Sequence, residues 1–169
     1  MATSIAGVLV AVALFGLFAT LIQPAATAAQ TEQLNSATGQ LAELFRLAQT
    51  EAQRTDQYVA VSYSVADETF SAFTVSTLLP FKVDAVVYHP VSKQPLQWQA
   101  ESIAVNNPGA PFSLEAGQTS TIVYDSWGTP FGSSGAKITQ LATTTITLSH
   151  NGVSRAVQIH PFSGRVQIK

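Results

Sequence analysis

Cysteine is absent from the chain, which excludes thiol nucleophiles, disulfide frameworks and cysteine-ligated zinc. Charge is scarce too: 11% of residues are Asp, Glu, Lys or Arg, against about 25% in an average soluble protein. With 8 basic and 10 acidic side chains the formal net charge is −2, which gives no electrostatic footing for a specialist in nucleic acid or anionic membranes. Histidine is limited to His89, His150 and His160, each in a separate strand end or turn. They lack the close helical spacing of a metal site and read as surface residues. No Gly-x-Ser-x-Gly elbow occurs. The run Gly128 to Gly135, GTPFGSSG, lacks the Gly-Lys-Ser/Thr ending that holds a phosphate and reads as a flexible loop. Asp67-Glu68 reads as a solvated turn. The expectation is a non-enzyme with no cofactor, no metal and no small-molecule substrate, in 169 residues that suffice for one domain and an appendage.

What the chain does have is an uneven distribution of apolar residues. Ile5 to Ile22 runs without a charge, and no basic residue precedes Arg46. A helix crosses the hydrocarbon core with roughly 17–25 apolar residues, so this run suffices for a membrane helix. A cleaved secretory signal is the alternative, supported by the small-residue stretch Ala26-Thr27-Ala28 and opposed by the lack of a basic segment before the run. Beyond Pro24, residues Leu34, Ala37, Leu41, Leu44, Phe45, Ala48 and Ala52 recur at helical steps, with Gln40, Glu43, Arg46, Gln49 and Gln53 on the wetter face. Pro24 is expected to kink one continuous helix without ending it. Taken from Ile5 to Thr55, that rod spans roughly 77 Å at about 1.5 Å per residue.

After Asp56 the period changes to two. Tyr58 to Val65 alternates with Val59, Val61, Tyr63 and Val65 on one face. Phe70 to Val75, Val83 to Tyr88, Ile122 to Tyr124, Thr143 to Leu148, Val157 to Ile159 and Arg165 to Ile168 are further strand candidates. Asn151-Gly152 between two of them is a strong hairpin signal. The expected fold class is α+β: a long N-terminal helix, its first half membrane-embedded and kinked at Pro24, followed by an antiparallel β-sheet or sandwich domain. The expected division is 1–24 for the transmembrane or filament-core half of the helix, 25–56 for its amphipathic half, and 57–169 for an extracytoplasmic β domain.

This order of elements resembles the type IV pilins and the pseudopilins of type II secretion. Gly16 and Pro24 stand at the spacing typical of that family's helix. Leu44 to Arg54, followed by Tyr58-Val59, looks like the helix end of the minor pilin group containing GspH and FimT. Ile159-His-Pro-Phe-Ser-Gly-Arg-Val-Gln-Ile168 resembles that group's closing hairpin, and Tyr124-Asp-Ser-Trp-Gly-Thr-Pro130 a strand-turn of many minor pilins. The resemblance also implies a glutamate near the start of the helix that pairs with a neighbouring subunit's terminal amine. Counting back from Gly16 and Pro24, Gly7 takes that place, or Ile5 if Met1 is the processed terminus. A missing acid suits a tip or otherwise specialised subunit.

The function implied is a minor pilin or pseudopilin that initiates or caps a type IV pilus or type II secretion pseudopilus. It would sit in the cytoplasmic membrane as a single-pass protein, β domain outside, before joining other pilin subunits through the N-terminal helix. Close helix approach there would depend on Gly7, Ala11, Gly16 and Pro24, and the amphipathic face would be Leu34, Leu41, Leu44, Phe45 and Ala48. Two alternatives stand beside it. One is a secreted soluble β domain released by cleavage after Ala28. The other is a DNA-binding minor pilin for natural transformation, with contact through Arg165 and Lys169; about two phosphate contacts would bind weakly and fail in modest salt.

Overall fold

The computed structural model describes residues 5–78, 81–106, 121–133 and 138–169, with side chains described from Ala28 onward, Phe81 aside. It divides into two compact units, 1–33 and 34–169. One helix, α1 (Ile5–Thr55), enters both. Its backbone remains helical across Pro24. The side chains of the apolar run Ile5 to Ile22 lie outside the described residues, as do the packing positions Gly7, Ala11, Gly16 and Pro24. Among the described residues, no helix is long and apolar enough to cross a membrane.

The second unit is organised around the C-terminal part of α1. Asp56 ends the helix with φ 53°, and the Gln57 amide reaches back to the Ala52 carbonyl at 3.4 Å. This is the left-handed cap that satisfies a terminal carbonyl. The chain then builds β1 (Tyr58–Ser64), β2 (Thr69–Leu78), β3 (Phe81–Val86), β4 (Gln97–Gln99), β5 (Ala104–Asn106), β6 (Thr121–Tyr124), β7 (Pro130–Ser133), β8 (Ile138–Gln140), β9 (Thr144–His150), β10 (Val153–Ile159) and β11 (Val166–Ile168). A seven-stranded antiparallel sheet runs β3-β2-β1-β6-β7-β8, with β4 also pairing β2. A four-stranded antiparallel sheet runs β11-β10-β9-β5. Register shifts around Val75 bend the outer end of β2 against β3.

One core joins the helix to both sheets. Leu34, Leu41, Leu44, Phe45, Ala48 and Ala52 of α1 are buried with Val59, Val61, Phe70 and Tyr124 of the larger sheet. Ile146, Leu148, Val157 and Ile159 of the smaller sheet complete the same cluster. Phe45 meets Phe70 edge-on at 6.0 Å between ring centroids, and Phe70 meets Tyr63 at 4.5 Å. Such ring pairs add about 0.5–1.5 kcal/mol beyond the area they bury. The far face of the larger sheet carries a smaller cluster of Ala60, Val75 and Val123.

Several strand expectations need correction. Val65, placed by alternation on the face of Val59 and Val61, lies past the end of β1 in the turn at 65–68. The glycine-rich run from Gly128, read as a flexible loop, is strand β7 over Pro130–Ser133 and pairs antiparallel with β6. Pro130 stands at the first strand position, where a missing amide is tolerated. Strands β4, β5 and β8 have three residues each, too few for a periodicity to register.

Candidate interaction surface

Arg46, Gln49 and Gln53 sit at i, i+3 and i+7 on α1 and so form one stripe along it. They were expected on the wet face, but the structure gives them partners. The Gln49 Nε2 donates to the carbonyls of Gly128 at 2.8 Å and Ser163 at 2.9 Å. The Gln53 Nε2 donates to the Trp127 carbonyl at 3.0 Å. An Arg46 guanidinium nitrogen donates to the Val166 carbonyl at 3.2 Å. One helix stripe thus fastens two turns that belong to different sheets: Asp125–Thr129 between β6 and β7, and His160–Arg165 between β10 and β11.

Each turn is closed by its own bonds. Asp125 Oδ1 accepts from the amides of Trp127 at 2.9 Å and Thr129 at 2.7 Å. The Asp125 carbonyl accepts from the Gly128 amide at 2.9 Å. In the second turn, His160 and Arg165 are bonded through backbone at 3.0 Å, and the Gly164 amide donates to the His160 carbonyl at 3.1 Å. Gly128 has φ 77° and Gly164 φ 63°. A Cβ on Gly164 would lie 2.7 Å from the Gly128 carbonyl oxygen. The two turns touch, and both positions require glycine for conformation and for space.

Two large aromatic rings stand out from these turns: Trp127 is 84% exposed and Phe162 69%. Phe162 has φ 65°, and the Ser163 amide donates across it to the Pro161 carbonyl at 2.7 Å. A left-handed conformation for a bulky side chain is a true outlier that the surroundings must hold in place. The root of the first turn, Tyr124, is fully buried, and its hydroxyl has no hydrogen-bond partner among the described residues. Burial alone pushes that phenol well above its ordinary value.

On the other flank of the helix end lies a cleft of about 500 Å³ lined by residues including Glu51, Arg54, Val86, Tyr88, His89 and Lys93. Its charges are partly spent internally, since Arg54 and Glu51 form a two-point ion pair at 2.6 and 2.9 Å. His89 Nδ1 accepts from the amides of Val91 and Ser92, both at 3.2 Å. His150 bonds the Ser102 carbonyl at 2.8 Å and His160 bonds Gln167 of β11 at 3.1 Å, so His89 braces its own turn while the other two tie neighbouring segments together. Among the described residues no group of three or more potential metal ligands comes together.

Of the two cations singled out from the sequence, Arg165 is exposed three residues after Phe162, and Lys169 is exposed as well. Trp127 and Phe162 figured only within quoted segments, and Gln49 and Gln53 only as wet-face residues of the helix. Both turns had been noticed as segments, each with an aromatic residue shortly before a glycine. No local pattern says that segments so distant in sequence share a helix stripe.

A long N-terminal helix whose C-terminal part is packed into two antiparallel sheets is the architecture of a pilin-like subunit. The family model described as type II transport protein GspH matches residues 37–162, and the chain belongs to this family. Two solved structures illustrate the similarity. The type IV minor pilin FimU of Pseudomonas aeruginosa is 14% identical, with 83% of this chain and 90% of that chain covered and a TM-score of 0.47. The minor pseudopilin EpsH from the type 2 secretion system of Vibrio cholerae is 13% identical, with 80% and 94% covered and a TM-score of 0.48. A search of curated protein sequences gives no match.

Proposed function

We propose that this chain is a minor pilin or pseudopilin that initiates or caps a type IV pilus or a type II secretion pseudopilus. Its role is structural and not catalytic. The observation that carries the reading is the GspH family match over residues 37–162, joined to a helix that continues back to Ile5. Residues 1–24 act as the membrane anchor and then as the filament-core half of the helix. Residues 25–56 form the amphipathic half, and 57–169 the domain held outside the cytoplasmic membrane.

Assembly exchanges lipid for neighbouring helices. Lipid tails are as apolar as leucine, so the exchange has no hydrophobic driving force, and close packing decides it. Gly7, Ala11 and Gly16 provide the small positions that close approach needs. Replacement of Gly16 by Leu is expected to reduce recovery of the subunit in sheared filaments or secretion complexes by at least ten-fold, while thermal unfolding of the sheet domain is unchanged. Normal recovery of the variant would remove the helix-packing role.

A further inference from the structure

We propose that Asn151 is a self-modification site: in the folded chain its side chain cyclises onto the Gly152 amide nitrogen, with His150 carrying the proton. The product is a succinimide, which water opens to aspartate or isoaspartate. The site is independent of the assembly role proposed above.

The hairpin between β9 and β10 places the reacting groups. His150 and Val153 are the last pair of its ladder, so the Gly152 amide lies beyond the strands, next to the Asn151 carboxamide. Both residues of the turn are exposed, and a Cβ on Gly152 would meet nothing within 4 Å. No neighbouring group therefore obstructs a ring closing across the two residues. Glycine also leaves the attacking nitrogen least hindered, because it carries no side chain.

What distinguishes this Asn-Gly pair is the imidazole beside it. Because β5 pairs with β9, with Ala104 opposite Ser149, the bend before β5 reaches the end of β9. There His150 Nδ1 donates to the Ser102 carbonyl at 2.8 Å. A carbonyl only accepts, so Nδ1 carries the hydrogen. Asn151 Nδ2 stands 3.1 Å from His150 Nε2. An amide nitrogen only donates, so Nε2 offers its lone pair. Ser102 presents its carbonyl from φ 61°, the left-handed region in which a non-glycine residue needs outside support. A carbonyl thus orients an imidazole whose other nitrogen faces the group that must leave, the arrangement used wherever histidine shuttles a proton.

Attack by the Gly152 nitrogen on Asn151 Cγ forms one C–N bond and releases the proton of that nitrogen. The bond from Cγ to Nδ2 then breaks with its electron pair on nitrogen, which departs as ammonia only after gaining a proton. His150 Nε2 takes up the first proton through solvent water and returns one to Nδ2. The Ser102 carbonyl stabilises the transient imidazolium through Nδ1–H. Water then adds to either carbonyl of the ring, so overall one ammonia leaves and one water enters.

The test ages the full chain in mild detergent at neutral pH. Peptide mass reports amide-to-acid conversion at position 151, and hydroxylamine cleavage between 151 and 152 reports the succinimide. Asn35 and Asn106 are internal references, since neither precedes a glycine, and their peptides should stay unchanged. His150→Ala should slow conversion roughly five-fold or more, a modest share of what a positioned general acid–base supplies. His150→Gln keeps a hydrogen-bonding side chain of similar reach but cannot carry a proton, and should be slowed as much with the thermal midpoint retained. In urea the wild type and both variants should convert at one common rate, because the relay exists only in the fold. Conversion confined to urea, equal folded rates for wild type and His150→Gln, or the same ratio in urea as in the fold would each overturn the proposal.

Discussion

Tyr124 is a titratable residue held wholly away from water. Its hydroxyl is buried without a hydrogen-bond partner among the described residues, and burial raises its pKa. A solvated phenol ionises near pH 10. Above that pH the unfolded chain has lost a proton that the folded chain keeps, so stability falls as pH rises. Tyr63 shifts the same way, first through burial and then through Glu68. Urea midpoints should drop between pH 8 and pH 11 by the equivalent of about 1 kcal/mol. Tyr124→Phe should remove most of that drop at no cost at pH 8, because it also deletes an unsatisfied hydroxyl. The turn glycines allow a sharper comparison. Gly152→Ala, at φ 83° with open space around it, should cost about 1 kcal/mol from conformation alone. Gly164→Ala, where the Gly128 carbonyl blocks the new methyl, should cost about 3 kcal/mol. Equal losses in denaturant titrations would mean that the two turns do not press together.

At the scale of elements, helix α1 is capped by a residue that tolerates the left-handed region only moderately. Asp56→Gly should stabilise the sheet domain by about 0.5–1 kcal/mol, through relief of φ strain and removal of a negative charge from the negative end of the helix dipole. A fall in the thermal midpoint would contradict that cap. Elements with a strong local code were legible in the sequence. The helical spacing of Leu34, Leu41, Phe45 and Ala48 and the alternation of Val59, Val61 and Tyr63 each repeat over several residues. Asn151-Gly152 adopts positive φ at both positions, as a two-residue hairpin turn requires. Strand β7 was hidden because Gly128 and Gly132 look like loop residues until β6 supplies the pairing. The surface around Trp127 and Phe162 was hidden for a different reason. Gln49 and Gln53 have no periodic signature that distinguishes a glutamine bonding a distant carbonyl from one bonding water.

At the scale of the whole molecule, the sheet domain's core draws on the helix from Leu34 onward among the described residues, and 34–169 forms a compact unit of its own. The proposed filament role calls for such a division, in which a self-contained domain keeps its packing whatever surrounds the N-terminal segment. The GspH family match lies wholly within the sheet-bearing unit, so the N-terminal segment is where the proposed role is most directly exposed to test. The decisive measurement is the intact mass of the native protein, taken from membranes and from sheared filaments. Retention of the apolar run Ile5 to Ile22 in both fractions is the expected result. A mature chain beginning near Ala29, recovered free of membrane and filament alike, would contradict it.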